Sequence, residues 1–283
     1  MSARNNRNPV KISLIASLVA CGLLAAPGAS AQSVENQVTL PLKGVVDVVI
    51  DWGSANANAT CTRKVQGTDP APVSCTYDAA LDGAGPFNVR ISGSYEQFGN
   101  GDTGYPNADK ITRVTRFGSV GLTSLSGAFN GAERLTSVPA DLPETVTDLS
   151  FTFKGAVLFN DENVRNWGMR TRNVTNMTGT FEDALLFSRD LDTWCMKNLS
   201  APPARFTGVQ MSASKRDEVS TRVGQALPSE ASLTQEKEPL WGQCGVTFDA
   251  TPPAAAQAGA AYSLDLRSRA TLWSNAPGTA DRD

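Results

Sequence analysis

The chain has 283 residues, of which 41% are hydrophobic and 7% aromatic, and it carries a formal net charge of −3. It contains no histidine, which excludes Ser-His-Asp and Cys-His catalysis, histidine-ligated metals and the usual general base near neutral pH. The acidic balance also disfavours a nucleic-acid partner, whose phosphate backbone calls for clustered lysine and arginine.

Residues 1–31 have the three parts of a secretory signal peptide. A basic start precedes an apolar run from Ile12 to Ala26, and Ala29-Ser-Ala31 forms a small-residue cleavage site. The run is shorter than a typical membrane span, so we expect it to be removed. A competing signal, Leu18-Val-Ala-Cys21, matches a bacterial lipobox. In that case Cys21 is lipidated and is the chain's only attachment to a membrane.

Residues 32–104 predict a β-sandwich-like domain. Val38–Leu42, Val45–Trp52 and Phe87–Ser92 are rich in β-branched residues and are bounded by Gly, Pro and Asn, as strands are. The last of them alternates apolar and polar residues, so one of its faces is expected to contact water. Together with the repeats described below, this predicts an α+β chain of several domains.

The end of the second strand, Asp51-Trp-Gly53, resembles the strand-end signature of PKD-like or Ig-like β-sandwich modules. In that signature a second Asp-Gly usually follows. Here Ser54 to Asn58 intervene instead, which favours a structural role for Asp51 over calcium binding.

The stretch from 122 to 206 repeats one short phrase. Each copy ends in a phenylalanine that is followed three residues later by alanine and six residues later by an apolar residue. The offsets of about 24 and 28 residues are typical of solenoids, in which each coil buries its apolar residues against its neighbours. The three clear copies are Leu122-Thr-Ser-Leu-Ser-Gly-Ala-Phe129, Val146-Thr-Asp-Leu-Ser-Phe-Thr-Phe153 and Val174-Thr-Asn-Met-Thr-Gly-Thr-Phe181.

Further landmarks support the repeat. Val164-Arg-Asn-Trp167 and Leu191-Asp-Thr-Trp194 put a tryptophan at a matching distance in the second and third copies, whereas the first copy has Pro139 in that region. Leu199-Ser200 with Phe206 keeps the spacing of a fourth copy. Its departure from the pattern is expected, because terminal repeats cap the stack.

These residues resemble the BspA-like leucine-rich repeat surface proteins of bacteria, whose repeats read V-T-N-M-x-x-M-F-x-x-A-x-x-F-N and then D-L-x-x-W. Val174 to Trp194 matches that pattern almost residue by residue, and Trp194-Cys195 with Trp241-Gly-Gln-Cys244 matches its usual ending. The resemblance covers roughly residues 38–245. It implies a short leucine-rich repeat solenoid with a C-terminal cap over 105–245, in a surface or secreted protein without enzymatic chemistry or cofactors.

Cleavage after Ala31 leaves four cysteines, Cys61, Cys75, Cys195 and Cys244. An even number in an exported chain favours two disulfides, for which three connectivities exist. Local pairing, Cys61 with Cys75 and Cys195 with Cys244, is the simplest of them. The spacing does not fit a zinc site, and we expect no metal.

The sequence changes character again over residues 246–283. Thr251-Pro-Pro, Tyr262-Ser-Leu-Asp-Leu266 and Ala270-Thr-Leu-Trp273 resemble the opening of a bacterial Ig-like module. Too few residues follow to complete a sandwich. We therefore expect a linker or an incomplete Ig-like module.

Equal positions of neighbouring coils align into ladders in a solenoid, and such ladders form its binding surface. The residues at the third and fifth positions are small and polar. They fit weak, multi-point recognition of an extracellular protein or glycan better than they fit a deep small-molecule pocket. These candidate residues are Ser124, Asp148 and Asn176 at the third position, and Ser126, Ser150 and Thr178 at the fifth.

The sequence thus predicts a non-catalytic adhesion or interaction protein, secreted or held at the bacterial surface. Two alternatives remain. The first alternative is a structural stalk or envelope component without a specific ligand. The second is a histidine-free hydrolase that uses paired carboxylates, as glycosidases do. Asp82, Asp102 and Asp109 are loop acids for such a pair, but their spacing selects no two of them.

Overall fold

A computed structural model describes residues 36–83, 85–118 and 121–244, together with the backbone of 11–16, 247–248 and 270–271. The strands of the N-terminal half are β1 (Lys11–Ala16), β2 (Gln37–Leu40), β3 (Leu42–Lys43), β4 (Val45–Asp51), β5 (Lys64–Thr68), β6 (Val73–Thr76), β7 (Phe87–Ser94), β8 (Gln97–Phe98) and β9 (Ile111–Arg116). The later strands are β10 (Phe181–Glu182), β11 (Thr207–Gly208), β12 (Thr247–Phe248) and β13 (Ala270–Thr271). The α-helices are α1 (Ala55–Thr60), α2 (Ala79–Asp82) and α3 (Ala213–Val223). Short 3-10 helices span Gly101–Thr103, Ala108–Lys110, Glu162–Asn173 and Gln235–Lys237.

A five-stranded antiparallel sheet in the order β5-β4-β7-β1-β9 dominates the N-terminal half. In β4, Val46, Val48 and Ile50 are buried while Val45 and Val49 are exposed, because successive side chains of a strand point to opposite faces. Separate two-stranded pairs are formed by β2 with β6 and by β3 with β8.

Trp52 directly follows β4 and belongs to the Asp51-Trp-Gly53 signature. Its indole N–H donates to the carbonyl of Thr62 at 3.0 Å, and its own carbonyl accepts from the Tyr77 hydroxyl at 2.8 Å. A disulfide joins Cys61 to Cys75, with 5.4 Å between the Cα atoms. The segment between β4 and β6 is therefore held by hydrogen bonds to Trp52 and by a covalent link.

Strand β1 comes from the segment that the sequence assigns to the signal peptide. It lies between β7 and β9 and is antiparallel to both. The remaining residues of that segment, including Cys21 and the cleavage site, lie outside the described part of the chain. The beginning of the apolar run that the sequence assigns to a leader is thus paired as a strand.

The three repeat phrases lie side by side. Parallel bridges join Ser124 to Asp148 and Asp148 to Asn176. The N–H of Leu125 donates to the carbonyl of Asp148, and the N–H of Leu149 donates to that of Asn176, each at 2.9 Å. A fourth row follows, since β10 and β11 pair in parallel.

Columns of rings fill the interior of the coils. The phenylalanines that end the three phrases stack with centroids 5.7 and 5.3 Å apart, and Trp167 stacks on Trp194 at 5.6 Å. The indole N–H of Trp167 donates to the carbonyl of Pro139, and that of Trp194 to Val164. Each tryptophan therefore fills the core and also satisfies a backbone carbonyl of the preceding coil.

The domain boundary expected near residue 104 is not marked by a break in the core. One hydrophobic cluster extends from Val38 in β2 through the three phrases to Leu233. Gln97 of β8 bridges Ser124 of the first phrase, and Arg113 of β9 bridges Ser137. The N-terminal strands thus serve as the first row on which the repeats stack.

The segment after Phe206 contains the 11-residue helix α3. Ser212 caps it by accepting from the N–H of Lys215, and Gly224 ends it at φ 73°, as a left-handed C-terminal glycine does. Val219 packs with Val157 and Leu185 of the coils.

A disulfide joins Cys195 to Cys244 and so ties the end of this segment to the coils. Beyond it, the predicted linker or incomplete module lies outside the described residues, apart from β12 and β13. Those two strands pair antiparallel, with Thr247 opposite Thr271.

Phe153 is fully buried and contacts the rings of Phe129, Phe159, Trp167 and Phe181. We expect Phe153→Ala to lower the free energy of unfolding by about 3–5 kcal/mol, because it opens a cavity in the column. Urea denaturation measures this loss. The control is Leu81→Ala, whose side chain is 69% exposed and which should change it by no more than about 0.5 kcal/mol. Equal effects of the two variants would contradict the stacked core.

Candidate functional site

The third-position residues predicted to bind a partner are brought together, but their side chains also hold the backbone. The Ser124 hydroxyl, the Asp148 carboxylate and the Asn176 carbonyl each accept a hydrogen bond from the backbone N–H two residues later, at 3.1, 2.8 and 3.2 Å. All three are half-buried. Such side-chain to backbone bonds shape turns, so this ladder has a structural role of its own.

The fifth-position ladder is largely closed. Ser126 and Ser150 are buried, and their hydroxyls bond to each other at 2.8 Å. Thr178 is half-buried. The Ser126 and Ser150 hydroxyls thus bond to each other inside the protein and are not presented to a partner.

The backbone at the sixth position of the phrase has an unusual conformation. The backbone there is left-handed in the three clear copies, with φ 69° at Gly127, 54° at Phe151 and 62° at Gly179. The fourth row is shifted by one residue from the expected copy, because Thr207 rather than Phe206 pairs with Phe181. Arg205, with φ 57°, is therefore its equivalent residue. Glycine adopts this conformation freely, but a bulky side chain does so rarely and at a cost of about 1–2 kcal/mol. Phe151 and Arg205 therefore occupy positions that favour glycine.

The ring of Phe151 lies between two cations. Lys154 Nζ is 5.6 Å from the ring centroid, and Arg205 Cζ is 5.5 Å from it, both within the range of cation–π attraction. The ring covers the backbone of Gly179 so closely that a Cβ there would meet it at 2.4 Å. Glycine at 179 is thus what allows the ring at 151 to lie flat against the next coil.

Two acids complete this arrangement, which we call the Phe151 cluster: Asp102, Phe151, Lys154, Glu182 and Arg205. The Glu182 side chain is only 2% exposed, and it contacts Lys154 Nζ at 3.3 Å and Arg205 Nη2 at 2.5 Å. Asp102 bonds Lys154 and lies 3.2 Å from Arg205 Nη1. A buried carboxylate is stable only when paired, so Glu182 fixes both cations beside the ring.

The same contacts shift the pKa values of Asp102 and Arg205. The hydrogen bond from Lys154, helped by the one from Arg205 and opposed by burial, holds the pKa of Asp102 below its usual range. The hydrogen bond to Glu182 raises the pKa of Arg205. Both shifts favour the charged forms of Asp102 and Arg205.

The other candidate acids, Asp51, Asp82 and Asp109, each have structural contacts. The Asp51 carboxylate accepts from the N–H of Gly53 and from the Asn58 amide, and the Asn58 bond is the main reason that its pKa is lowered. Asp82 binds Ser54 and Asn56, whereas Asp109 pairs with Lys110 at 3.1 Å. Within the described ranges, no group of three or more potential ligands could hold a metal ion.

A surface cleft of about 600 Å³ opens beside the coils. Both signs of charge line it, with Arg116 and Arg170 near Asp141 and Glu144. Glu144 is already paired with Arg172 at 2.5 Å. The cleft offers polar contacts, but no arrangement of its residues selects one ligand.

The Phe151 cluster was not predicted from the sequence, although one signal was available. Aligning the phrases puts Phe151 in the column of Gly127 and Gly179, and a phenylalanine in a glycine column is unexpected. The cations and acids could not have been found in this way, because Asp102 and Arg205 are 103 residues apart.

A protein-family model matches the part of the chain that contains the three repeat phrases. Residues 110–218 match the model of the family DUF285, described as Mycoplasma protein of unknown function. No curated protein and no solved structure matches the chain. In the part of the chain with described structure, no helix is long and apolar enough to cross a membrane.

Phe151→Gly tests whether the phenylalanine serves stability. Glycine relieves the left-handed backbone but loses the ring contacts and adds entropy to the unfolded chain. We therefore expect the free energy of unfolding to change by less than about 1 kcal/mol. The neighbouring Thr152→Gly, which removes a buried hydroxyl bonded to two carbonyls, should lose about 2 kcal/mol or more. A loss above about 2 kcal/mol for Phe151→Gly would show that the ring is needed for folding.

The lowered pKa of Asp102 gives a pH dependence with a defined sign. Its ionised form is stabilised in the folded protein, so the contribution is complete above the unfolded value of about 3.9 and is lost as pH falls through the folded value. Asp102→Asn should therefore reduce stability at pH 7, by less than about 1 kcal/mol for so exposed a pair. The difference from wild type should shrink below about pH 4. Thermal unfolding at pH 7 and pH 3, with Asp141→Asn as control, measures this, and a difference that grows at pH 3 would contradict it.

Proposed function

We propose that this chain is an exported bacterial surface protein that binds an extracellular protein or glycan, without catalysis, through the face of its repeats around the Phe151 cluster. The observation that carries the proposal is a half-buried phenylalanine held at φ 54° where the coils on either side have Gly127 and Gly179. Backbone strain of this kind persists when the surrounding structure enforces it, and it concentrates at binding and active sites.

The chemistry of the cluster suits recognition. An aromatic ring fixed between two cations offers an apolar surface with charged donors beside it, and aromatic and arginine side chains are the commonest energetic centres of binding surfaces. The Arg205 and Asp102 side chains are 41% and 46% exposed, so a partner can reach both signs of charge. The cluster is ordered before binding, which limits the entropy lost on association.

The polar ladders have a supporting part in this proposal. The third-position residues are half-buried and hold the turns, and so keep neighbouring coils in register beside the cluster. The surface is shallow, which favours an extended partner such as an oligosaccharide or a protein loop over a small compact molecule.

Export is supported by the leader pattern of residues 1–31 and by two disulfides, which persist in oxidising compartments. The mature chain would be secreted or held at the cell surface, with lipidation at Cys21 as the route to a membrane. We further propose that residues 105–245 form a BspA-like leucine-rich repeat solenoid with a C-terminal cap, and that residues 32–104 form a β-sandwich-like domain. The parallel bridges and the ring columns support the first of these.

The test is a binding comparison on immobilised oligosaccharides and extracellular-matrix proteins by surface plasmon resonance. Any probe that binds the wild-type chain should bind Phe151→Gly at least tenfold more weakly, because the anchor ring is lost. Leu81→Ala, exposed and distant in sequence from the cluster, should bind like wild type. Equal binding by wild type and Phe151→Gly would remove this surface from the proposal.

The third-position ladder needs its own variant. Replacing Ser124, Asp148 and Asn176 together with alanine removes three turn-holding bonds, so we expect lower stability as well as weaker binding. Phe151→Gly separates the two effects, since it should weaken binding without that loss of stability.

A further inference from the structure

Successive rows of the stack are joined by backbone hydrogen bonds that follow one pattern. From the fourth position of each phrase, alternate N–H groups donate to carbonyls of the next row, as Phe151 does to Thr178 at 2.8 Å. The intervening N–H groups bond within their own row, as that of Thr152 does with the carbonyl of Leu149. Over this part of the phrase, a row therefore requires carbonyl groups at alternate positions of the row that follows it.

The fourth row receives such bonds, but no described row follows it. Its residues Phe206 and Gly208 accept from Phe181 and Asp183 of the third row, each at 2.8 Å. The N–H groups that would continue the pattern belong to Arg205, Thr207 and Val209. Among the described residues, β11 pairs only with β10, and no backbone carbonyl accepts from these three groups. We call residues 205–209 the open edge.

The apolar interior of the stack is closed at this end, although the backbone edge is not. Phe206 is only 3% exposed, and Trp241 packs edge-on against its ring with 5.0 Å between the centroids. A Cβ placed on Gly208 would meet no other described atom within 4 Å. The end of the stack thus has no need of a further coil to bury its core, but it has room for one more extended segment.

The open edge is short and is bounded on both sides. Pro203 occupies the position of Met177 in the row before and has no N–H to donate. Beyond Val209, the N–H groups of Gln210 and Met211 donate to the Asp183 carboxylate at 2.6 and 2.8 Å, and the chain turns away into α3. The donors between these limits lie on alternate residues and are therefore about 7 Å apart.

A row of backbone donors at this spacing fits an extended polypeptide. The carbonyls along one side of such a chain recur at every second residue, also about 7 Å apart. Addition of a strand to an open sheet edge is a general mode of peptide recognition, whereas a sugar chain has no backbone carbonyls to match the donors. The first row does not offer the same opportunity, because β3 already pairs with β8 there.

The open edge is continuous with the Phe151 cluster. Arg205 belongs to both, since its side chain bonds Glu182 and Asp102 while its N–H lies on the edge. The Phe151 ring rests on Gly179 of the third row, and Arg205 Cζ is 5.5 Å from its centroid. A segment bound along the open edge would therefore pass beside the exposed end of the cluster.

We infer that the open edge binds an extended segment of an extracellular protein by strand addition, and that the partner of the Phe151 cluster is therefore a protein rather than a glycan. This inference rests on the proposed function, and it names the class of partner for that surface. Carbonyls of the segment accept from the N–H groups of Arg205, Thr207 and Val209. Because these bonds involve only the backbone of the partner, segments of many sequences can form them.

Residue-resolved hydrogen exchange tests the edge directly. The probes are overlapping synthetic peptides that cover the extracellular-matrix protein bound most tightly in surface plasmon resonance. At a peptide concentration of ten times Kd, exchange at Arg205, Thr207 and Val209 should slow by roughly tenfold. The amides of Phe181, Asp183 and Phe206 already donate within the protein and are the matched controls. Their exchange should change by less than about twofold.

Thr207→Pro removes the central donor of the edge and should weaken binding of the same peptides by roughly fivefold or more. Thr207→Ala keeps the N–H and should bind within about twofold of wild type. Unchanged exchange at Phe181 and Asp183 shows that the proline variant retains the fourth row. If it does not, the alternating protection in the wild-type chain decides the inference alone.

Each result supports or overturns the inference. Alternating protection, with affinity lost in both Thr207→Pro and Phe151→Gly, supports it. Affinity lost in Phe151→Gly alone overturns it and leaves the proposed function standing, whereas affinity lost in Thr207→Pro alone overturns the proposed function and the single interface inferred from it.

Three further results would overturn the inference. The first is binding to oligosaccharides alone or to no protein probe. The second is protection of the three edge amides in the free monomeric chain, which would show that the edge is already covered. The third is protection that rises with protein concentration in the absence of peptide, which would assign the edge to a second copy of the chain.

Discussion

The structure depends on the stacking of coils that are not stable alone. Each repeat supplies one short extended segment and a few apolar side chains, too little to bury its own core. Stability comes instead from backbone N–H groups that donate to the carbonyls of the next coil and from rings that stack in columns through the interior. The tryptophans connect the two effects, because each indole lies in a column and bonds to the preceding coil. The first row of the stack is provided by β8 and β9, whose residues Gln97 and Arg113 bridge Ser124 and Ser137.

This arrangement separates the residues that stabilise the fold from those available for recognition. The buried columns tolerate little change, whereas the left-handed position at the edge of each coil needs only glycine for its conformation. A phenylalanine at this position does not stabilise the left-handed backbone conformation. Its ring rests on Gly179 and is flanked by cations that the buried Glu182 holds in place. The stacked coils thus support a strained aromatic site that an isolated coil could not maintain.

Much of the repeat region could be predicted from the sequence because its physics is local and periodic. The recurring phrases identify the residues that bridge at Ser124, Asp148 and Asn176 and the rings that stack behind them. The cysteine pairs that the structure joins are the local pairs that the sequence favoured. The rest depends on contacts between distant residues. Asp102 with Arg205, Glu133 with Arg222 of α3 and the pairing of β1 in the sheet leave no periodic trace, so no reading of propensity or spacing could show them. The continuous core across residue 104 is not visible in the sequence for the same reason. Residues 99–109 are rich in Gly, Asn and Asp, a composition typical of a linker whether or not the units on either side pack together.

The claim that the N-terminal strands and the repeats form one stacked unit is tested most directly by native-state hydrogen exchange. The amides of Phe98, Leu125 and Leu149 each donate to the following row, to the carbonyls of Ser124, Asp148 and Asn176. If the rows are one cooperative unit, all three amides exchange with the same free energy, equal to that of global unfolding. An opening of Leu149 at a clearly lower free energy than Phe98 would show that the repeats unfold independently of the N-terminal sheet, and would contradict the shared core.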